Sequence, residues 1–322
     1  MTDSDIHAYH KKLTADKRDV DPDYLAFHPN PKKPDTVLPI GACDAHCHVF
    51  GPAAKFPYAA SSTYRPVDAP AETLYRRHQH LGLAKAVIVQ ASCHGTDNRA
   101  MLDAIAIRPD IYRGIAVVAD DITPAEIGTM HAQGVRGVRF NFVKRLGGCT
   151  PDERQQRIIN AIRPFGWHVV VYFDSEDIES LTPFLNAIDL PVVIDHMGRV
   201  PIEQGTSSPA FAMLSRLLED DKYWVKISCP ERLSKTGPPY TDVEPVAGAL
   251  LEQVPHRVLW GSDWPHPNMK SHMPDDGLLV DRIVSLCKTV ESGQDFEKTT
   301  SGTTLLQTVL VDNPSRLYWN DE

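Results

Sequence analysis

Short runs rich in Val and Ile recur along this chain, apolar at successive positions rather than at every second one. They cover residues 43–50, 86–92, 114–118, 135–142, 168–173, 191–196, 224–228 and 257–263. Runs of that kind are what strands buried on both faces look like. Between them lie segments with helical spacing, at 71–81, 101–107, 211–218 and 246–254. One helix start is marked by Thr123-Pro124-Ala125-Glu126, a capping box with proline at the first helical position. Eight strands alternating with helices predict parallel βαβ units and, at this length, a single closed (β/α)8 TIM barrel of the α/β class. A doubly wound open sheet is the weaker alternative, because no glycine-rich phosphate loop follows any strand.

Residues 1–40 break the rhythm. They are charged and punctuated by Pro22, Pro29, Pro31, Pro34 and Pro39, which predicts an extended N-terminal arm laid over the body. Residues 41–322 are expected to form the barrel, with extra C-terminal helices from Asp275 and a polar surface excursion over 291–304. No second domain or low-complexity tract is visible.

Composition narrows the function. Of 322 residues, 42% are hydrophobic and 23% charged, an ordinary globular balance. No apolar run approaches the roughly eighteen residues a membrane span needs. The acidic start Met1-Thr2-Asp3-Ser4-Asp5 is no secretory signal, so a cytoplasmic protein is expected. The net charge of -9 argues against a nucleic-acid surface and repels anions, so an anionic substrate requires a local group of arginines. Six cysteines without a CxxC pair read as free thiols.

In such barrels the chemistry sits at the C-terminal ends of the strands. Those ends carry His46 and His48; Ser92; Arg139, with Lys144 and Arg145 beyond; Tyr172; Asp195, His196 and Arg199; Glu231 and Arg232; and Asp263. Strand alternation puts Asp44, His46 and His48 on one face and turns Cys47 away from them, which disfavours a Cys47 nucleophile. Each group alone has an ordinary explanation. The histidines could be satisfied core residues, Asp263 a helix cap, and Arg139 the partner of a surface acid. Their joint fall at strand ends marks a site.

The segments Asp44-Ala45-His46-Cys47-His48, Asp195-His196-Met197-Gly198-Arg199 and Gly261-Ser262-Asp263-Trp264-Pro265-His266 resemble the amidohydrolase superfamily. Within it, residues 41–319 are similar to the 2-pyrone-4,6-dicarboxylate lactonase family. That likeness extends to His48-Val49-Phe50-Gly51-Pro52, Val89 to Gly95, Arg136 to Phe142, Cys229 to Leu233 and Trp260 to Asn268. The resemblance implies hydrolysis of a small anionic lactone from aromatic-compound breakdown to an open-chain oxo acid. Asp263 is then the general base for water. His46, His48 and His196 polarise the carbonyl and hold the oxyanion. Arg139, Arg145, Arg232 and Arg199 grip the substrate's acids, and Ser92, Tyr64 and Tyr172 add neutral hydrogen bonds.

The superfamily usually binds divalent ions through the same histidines and aspartate, whereas this branch implies no required cofactor. Strands four and five end in Arg139 and Tyr172, with no lysine or glutamate to bridge two metals. One Zn2+ on His46, His48, His196 and Asp263 stays open as the alternative. A sulfomuconolactone hydrolase is the nearest competing activity. Gly147-Gly148-Cys149 departs from the expected lactonase pattern and keeps it open. A metal-dependent decarboxylase and a non-enzymatic binder are the remaining alternatives. The expected partner is the small anionic lactone alone, with a homo-oligomer allowed.

Overall fold

The computed structural model describes residues 23–293 and 303–320. Eight parallel strands pair in sequence order: β1 Cys43–Cys47, β2 Lys85–Val89, β3 Tyr112–Ala116, β4 Val135–Asn141, β5 His168–Tyr172, β6 Val192–Ile194, β7 Tyr223–Ser228 and β8 Val258–Gly261. Past the ends of β1 and β8 the ring is drawn together. Asp263 N–H donates to the His46 carbonyl at 2.8 Å, and His48 N–H to the Trp264 carbonyl at 2.7 Å. The expected (β/α)8 barrel is therefore present. Its α-helices of six or more residues are α1 Ala71–Leu81, α2 Arg99–Ile107, α3 Pro124–Ala132, α4 Glu153–Ile162, α5 Ile178–Ala187, α6 Pro209–Leu217, α7 Glu244–Gln253, α8 Asp276–Gly293 and α9 Asn313–Tyr318. The capping box forms as expected: the Thr123 side chain accepts from Glu126 N–H, and Glu126 accepts from Thr123 N–H at 2.8 Å.

The strands are apolar on both faces because each face meets a different core. Outward residues such as Ile88, Val169, Val171 and Val225 pack under the helices. Inward residues Val87, Val89, Ile115, Val170, Val193 and Leu259 fill the barrel axis. The lower mouth is stopped by the C-terminus. Tyr318 sits edge-on to His168 at 5.1 Å, and Lys85 and Arg113 lie over the Trp319 ring.

Two expectations need correction. Several strands end earlier than the hydrophobic runs, β1 at Cys47, β6 at Ile194 and β8 at Gly261. The backbone there leaves the extended region: His196, Met197, Arg199, Cys229, Asp263 and His266 all have positive φ. The second concerns Asp44. The pairing of β1 with β2 shifts register between Asp44 and Cys47, so one extra residue breaks the alternation. Asp44 consequently faces outward, where its Oδ2 meets His78 Nε2 of α1 at 3.2 Å.

Residues 23–40 run along the body. Leu25 N–H donates to the Met269 carbonyl at 2.8 Å, the Phe27 ring lies 5.1 Å from Trp264, and Lys32 N–H donates to Asp275. The rest of the expected arm and most of the expected 291–304 excursion lie outside the described residues. Among the described residues no helix is long and apolar enough to cross a membrane, and the cysteines are free.

Candidate active site

The outward Asp44 is a structural clamp for the site rather than a member of it. Its Oδ1 accepts from His46 N–H at 3.1 Å and from Ser262 N–H at 3.0 Å, and its Oδ2 accepts from the Ser262 hydroxyl at 2.5 Å. The exit of β8 is thereby tied to the bulge in β1. Gly261 serves the same closure, since a Cβ there would lie 2.4 Å from His46 Cβ. Past the bulge His46 and His48 both turn inward, their ring centres 5.0 Å apart.

The β6 exit delivers the third histidine through a left-handed turn. His196, Met197, Gly198 and Arg199 have φ of 51°, 54°, 58° and 53°. Each non-glycine residue in that conformation costs roughly 1–2 kcal/mol, strain of the kind that collects at functional sites. The His196 ring lies 4.7 Å from that of His46, and its Nδ1 pairs with the Ser228 hydroxyl at 2.7 Å.

Asp263, at φ 62° just past β8, is the centre of the cluster. Its Oδ1 lies 3.1 Å from His48 Nε2, 3.4 Å from His46 Nε2 and 4.0 Å from His196 Nε2. Its Oδ2 accepts from Arg232 Nη2 at 2.9 Å. Burial pushes the Asp263 carboxyl up, but Arg232 and the His48 hydrogen bond outweigh it and hold the group well below the usual range. His48 also donates from Nδ1 to the Val89 carbonyl at 2.8 Å. Burial drives His46 down to about 3 and His196 well below its ordinary value, so these two rings are neutral.

The Amidohydrolase family profile matches residues 43–319. The chain belongs to the amidohydrolase family. It is 48% identical over 310 residues to a 2-pyrone-4,6-dicarboxylate hydrolase of Comamonas testosteroni, covering 94% of this chain and 97% of the relative. A 4-sulfomuconolactone hydrolase of Rhizobium radiobacter is 36% identical over 285 residues, covering 88% of this chain and 91% of the relative. A solved structure from Acinetobacter baumannii, named a probable 2-pyrone-4,6-dicarboxylic acid hydrolase and holding citric acid, superposes with a TM-score of 0.70. It is 28% identical, over 87% of this chain and 100% of that one.

In this amidohydrolase His48, His196 and Asp263 form the floor of a cleft of about 360 Å³, walled by Tyr64, Ser92, Arg139, Leu146, Tyr172 and Arg232, with His46 buried beneath them. Tyr64 and Ser92 face one another, hydroxyl to hydroxyl at 3.3 Å. The Arg139 guanidinium lies over the Tyr172 ring at 4.9 Å. The other two expected arginines stand elsewhere. Arg145, about half exposed, donates to Asp174 at 2.9 Å, and Arg199 Nε pairs with the same carboxylate at 2.7 Å. Arg199 reaches the cleft wall indirectly, through the Tyr172 hydroxyl at 3.2 Å.

The structure adds one buried group that was not singled out as a site residue, Lys226, and gives the strand-end Asp195 its partners. Lys226, fully buried in β7, places Nζ 3.1 Å from His46 Nδ1 and 3.2 Å from Asp195 Oδ1. Asp195 Oδ2 in turn accepts from Arg139 Nε at 3.0 Å and lies 2.9 Å from Nη2. Burial raises the Asp195 carboxyl, but Lys226 and Arg139 hold it well below the usual range; burial lowers Lys226, which Asp195 opposes. A sequence signal for Lys226 existed. It is a lone cation inside Trp224-Val225-Lys226-Ile227, a strand that has no solvent-facing side.

A second buried chain runs behind Arg232. His266 Nδ1 faces Glu231 Oε1 at 3.3 Å and Nε2 faces Asp276 Oδ1 at 2.9 Å, while Asp276 Oδ2 accepts from Arg77 at 2.9 Å. Burial opposes the charge on His266, yet Asp276 and Glu231 raise its pKa to about 10. This imidazolium anchors the loop that carries Asp263 to α8 and α1.

By distance the donor set could take one divalent ion of the kind the superfamily resemblance implies. His46, His48 and Asp263 offer ligand atoms within 4.8 Å of one another, and His46 Nε2 is buried without a hydrogen-bond partner. His46, His48, His196 and Asp263 would hold it.

Proposed function

We propose that this amidohydrolase hydrolyses a small anionic lactone, 2-pyrone-4,6-dicarboxylate, in the breakdown of aromatic compounds, and needs no metal ion to do so. The observation that carries the reading is one ionised carboxylate, Asp263, set among three imidazoles under a cleft walled by Arg139 and Arg232. The 48% identity to a hydrolase of that name supports the substrate.

The chemistry follows from what each group can offer. Two guanidinium forks suit a planar acid carrying two carboxylates. Arg139 is already held in place through Nε and Nη2 by Asp195, so its orientation is set before substrate arrives. The lactone carbonyl faces the imidazoles. Asp263, ionised at any working pH, takes a proton from water as the water oxygen bonds to the carbonyl carbon. The carbonyl π pair moves to oxygen, and imidazole N–H groups stabilise that oxyanion away from bulk water. When the tetrahedral intermediate collapses, the ring C–O bond breaks. Its electron pair leaves on the ring oxygen as an enolate, which is protonated and becomes a ketone. The product carries one carboxylate more than the substrate. A divalent ion held by the same residues would supply Lewis-acid polarisation of the carbonyl.

A sulfonated lactone is the second reading. It is favoured by the 36% identity to a sulfomuconolactone hydrolase, and the arginine forks fit a sulfonate as well. Purified protein is to be assayed on both lactones in parallel, with and without chelator. Loss of pyrone absorbance that survives chelation is the expected result. No turnover of the pyrone would overturn the substrate, and turnover abolished by chelator and restored by Zn2+ would overturn the metal-free mechanism.

A further inference from the structure

We propose that Lys226 is a positioning residue that locks His46 in the tautomer with its proton on Nε2, making His46 a hydrogen-bond donor toward the reacting carbonyl and denying its lone pair to a metal ion. The proposal rests on the lactonase reading only for what His46 faces.

A neutral imidazole carries one N–H, on either Nδ1 or Nε2. Two buried groups compete to decide which. Asp195 Oδ1, 3.2 Å from His46 Nδ1, would accept a proton there and leave Nε2 bare. Lys226 Nζ, 3.1 Å from the same nitrogen, has only protons to offer and requires a lone pair. The geometry favours Lys226. Its contact with Nδ1 has hydrogen-bond geometry, whereas Asp195 Oδ1 approaches the same nitrogen at 3.2 Å as an ion-pair contact. Asp195 instead serves as counter-ion to Lys226 at 3.2 Å and, through its other oxygen, to Arg139 at 2.9 Å.

With Nδ1 occupied as an acceptor, the proton of His46 sits on Nε2. That atom is buried, lacks a partner, and lies 3.4 Å from Oδ1 of Asp263, which lines the cleft. Metal-ligating histidines ordinarily have the reverse arrangement, in which the distal nitrogen donates to a carboxylate or carbonyl and the proximal one gives its lone pair to the ion. Here a lysine stands where that second-sphere acceptor belongs. It reverses the tautomer and adds a positive charge behind the ligand set.

The test reads the imidazole and metal binding rather than turnover. Nitrogen-15 NMR of the full chain labelled at histidine, in the absence of ligand and metal, should show His46 with a protonated Nε2 and a bare Nδ1. The resonance is assigned by its loss in His46→Gln. A protonated Nδ1 would overturn the proposal. In the same preparation Lys226→Met, which keeps the length and removes the protons, should bind Zn2+ roughly 10- to 100-fold more tightly by calorimetry, the usual leverage of a second-sphere group. Unchanged zinc affinity in a folded variant would overturn it too. If the variant does not fold, the unaltered chain's spectrum decides. Neither readout uses a lactone, so failure of the substrate assignment leaves this result standing on its own.

Discussion

Asp195→Asn offers a quantitative check on the charge arrangement under the site. Asp195 is buried between Lys226 at 3.2 Å and Arg139 at 2.9 Å. At an effective dielectric of about 20, a unit pair at 3.2 Å interacts by roughly 5 kcal/mol before desolvation is counted. Removing one partner of a buried pair typically costs about 3–5 kcal/mol, because the remaining charge is left uncompensated. Here two cations would be left together. With an unfolding entropy of about 2.1 cal/mol/K per residue, 322 residues give about 0.7 kcal/mol/K, so Tm should fall by about 4–7 °C. Scanning calorimetry at pH 7 measures this. The double variant Asp195→Asn/Lys226→Met removes the cation with its counter-ion and should recover about 1–3 kcal/mol relative to the sum of the single changes. The pH dependence has a definite sign. The folded pKa of Asp195 lies below its unfolded value, so its contribution is full above about pH 4 and is lost as pH falls. The gap between the two proteins should close in acid. A Tm within about 1 °C of the parent at pH 7, or strict additivity in the double variant, would refute the reasoning.

Other outcomes follow from the same contacts. Asp263→Asn should lower kcat by about 10²- to 10⁴-fold while a dialysis or calorimetric assay still detects substrate binding; unchanged turnover would remove Asp263 from the role of base. His266→Gln should destabilise by about 3–5 kcal/mol at neutral pH. Because the folded pKa of His266 is raised to about 10, the penalty is full below its unfolded value of 6.5 and fades as pH climbs through about 10, which melting curves across that range can follow. Gly261→Ala would drive a Cβ to 2.4 Å from His46 Cβ and 2.6 Å from its backbone nitrogen, so β1 and β8 must part. The expected result is a stability loss of about 1–3 kcal/mol or more together with lost activity; wild-type kinetics would show that the closure tolerates slack.

The sequence by itself determined the barrel, the eight strands in order, and the end of the barrel where the chemistry lies. These depend on periodicity and on runs that must be buried on both faces, and both are local properties. The same reading carried β6 and β8 too far, because the chain turns left-handed at His196 and Asp263, and carried β1 too far, because its pairing with β2 stops at Cys47. It also misassigned Asp44, since a single-residue bulge inverts every face after it and leaves no mark in the residue pattern. His46, His48, His196 and Asp263 were legible as candidates from their places at strand ends. Only the tertiary structure decided what stands behind them. Lys226 lies within β7 and Asp195 just past β6, and their significance is a matter of 3 Å contacts that no spacing encodes. The arginines divide for the same reason. Arg139 and Arg232 face the cleft, while Arg145 and Arg199 are drawn to Asp174, an acid supplied by the loop after β5. Residue type states what a side chain can donate or accept, and the fold chooses its partner.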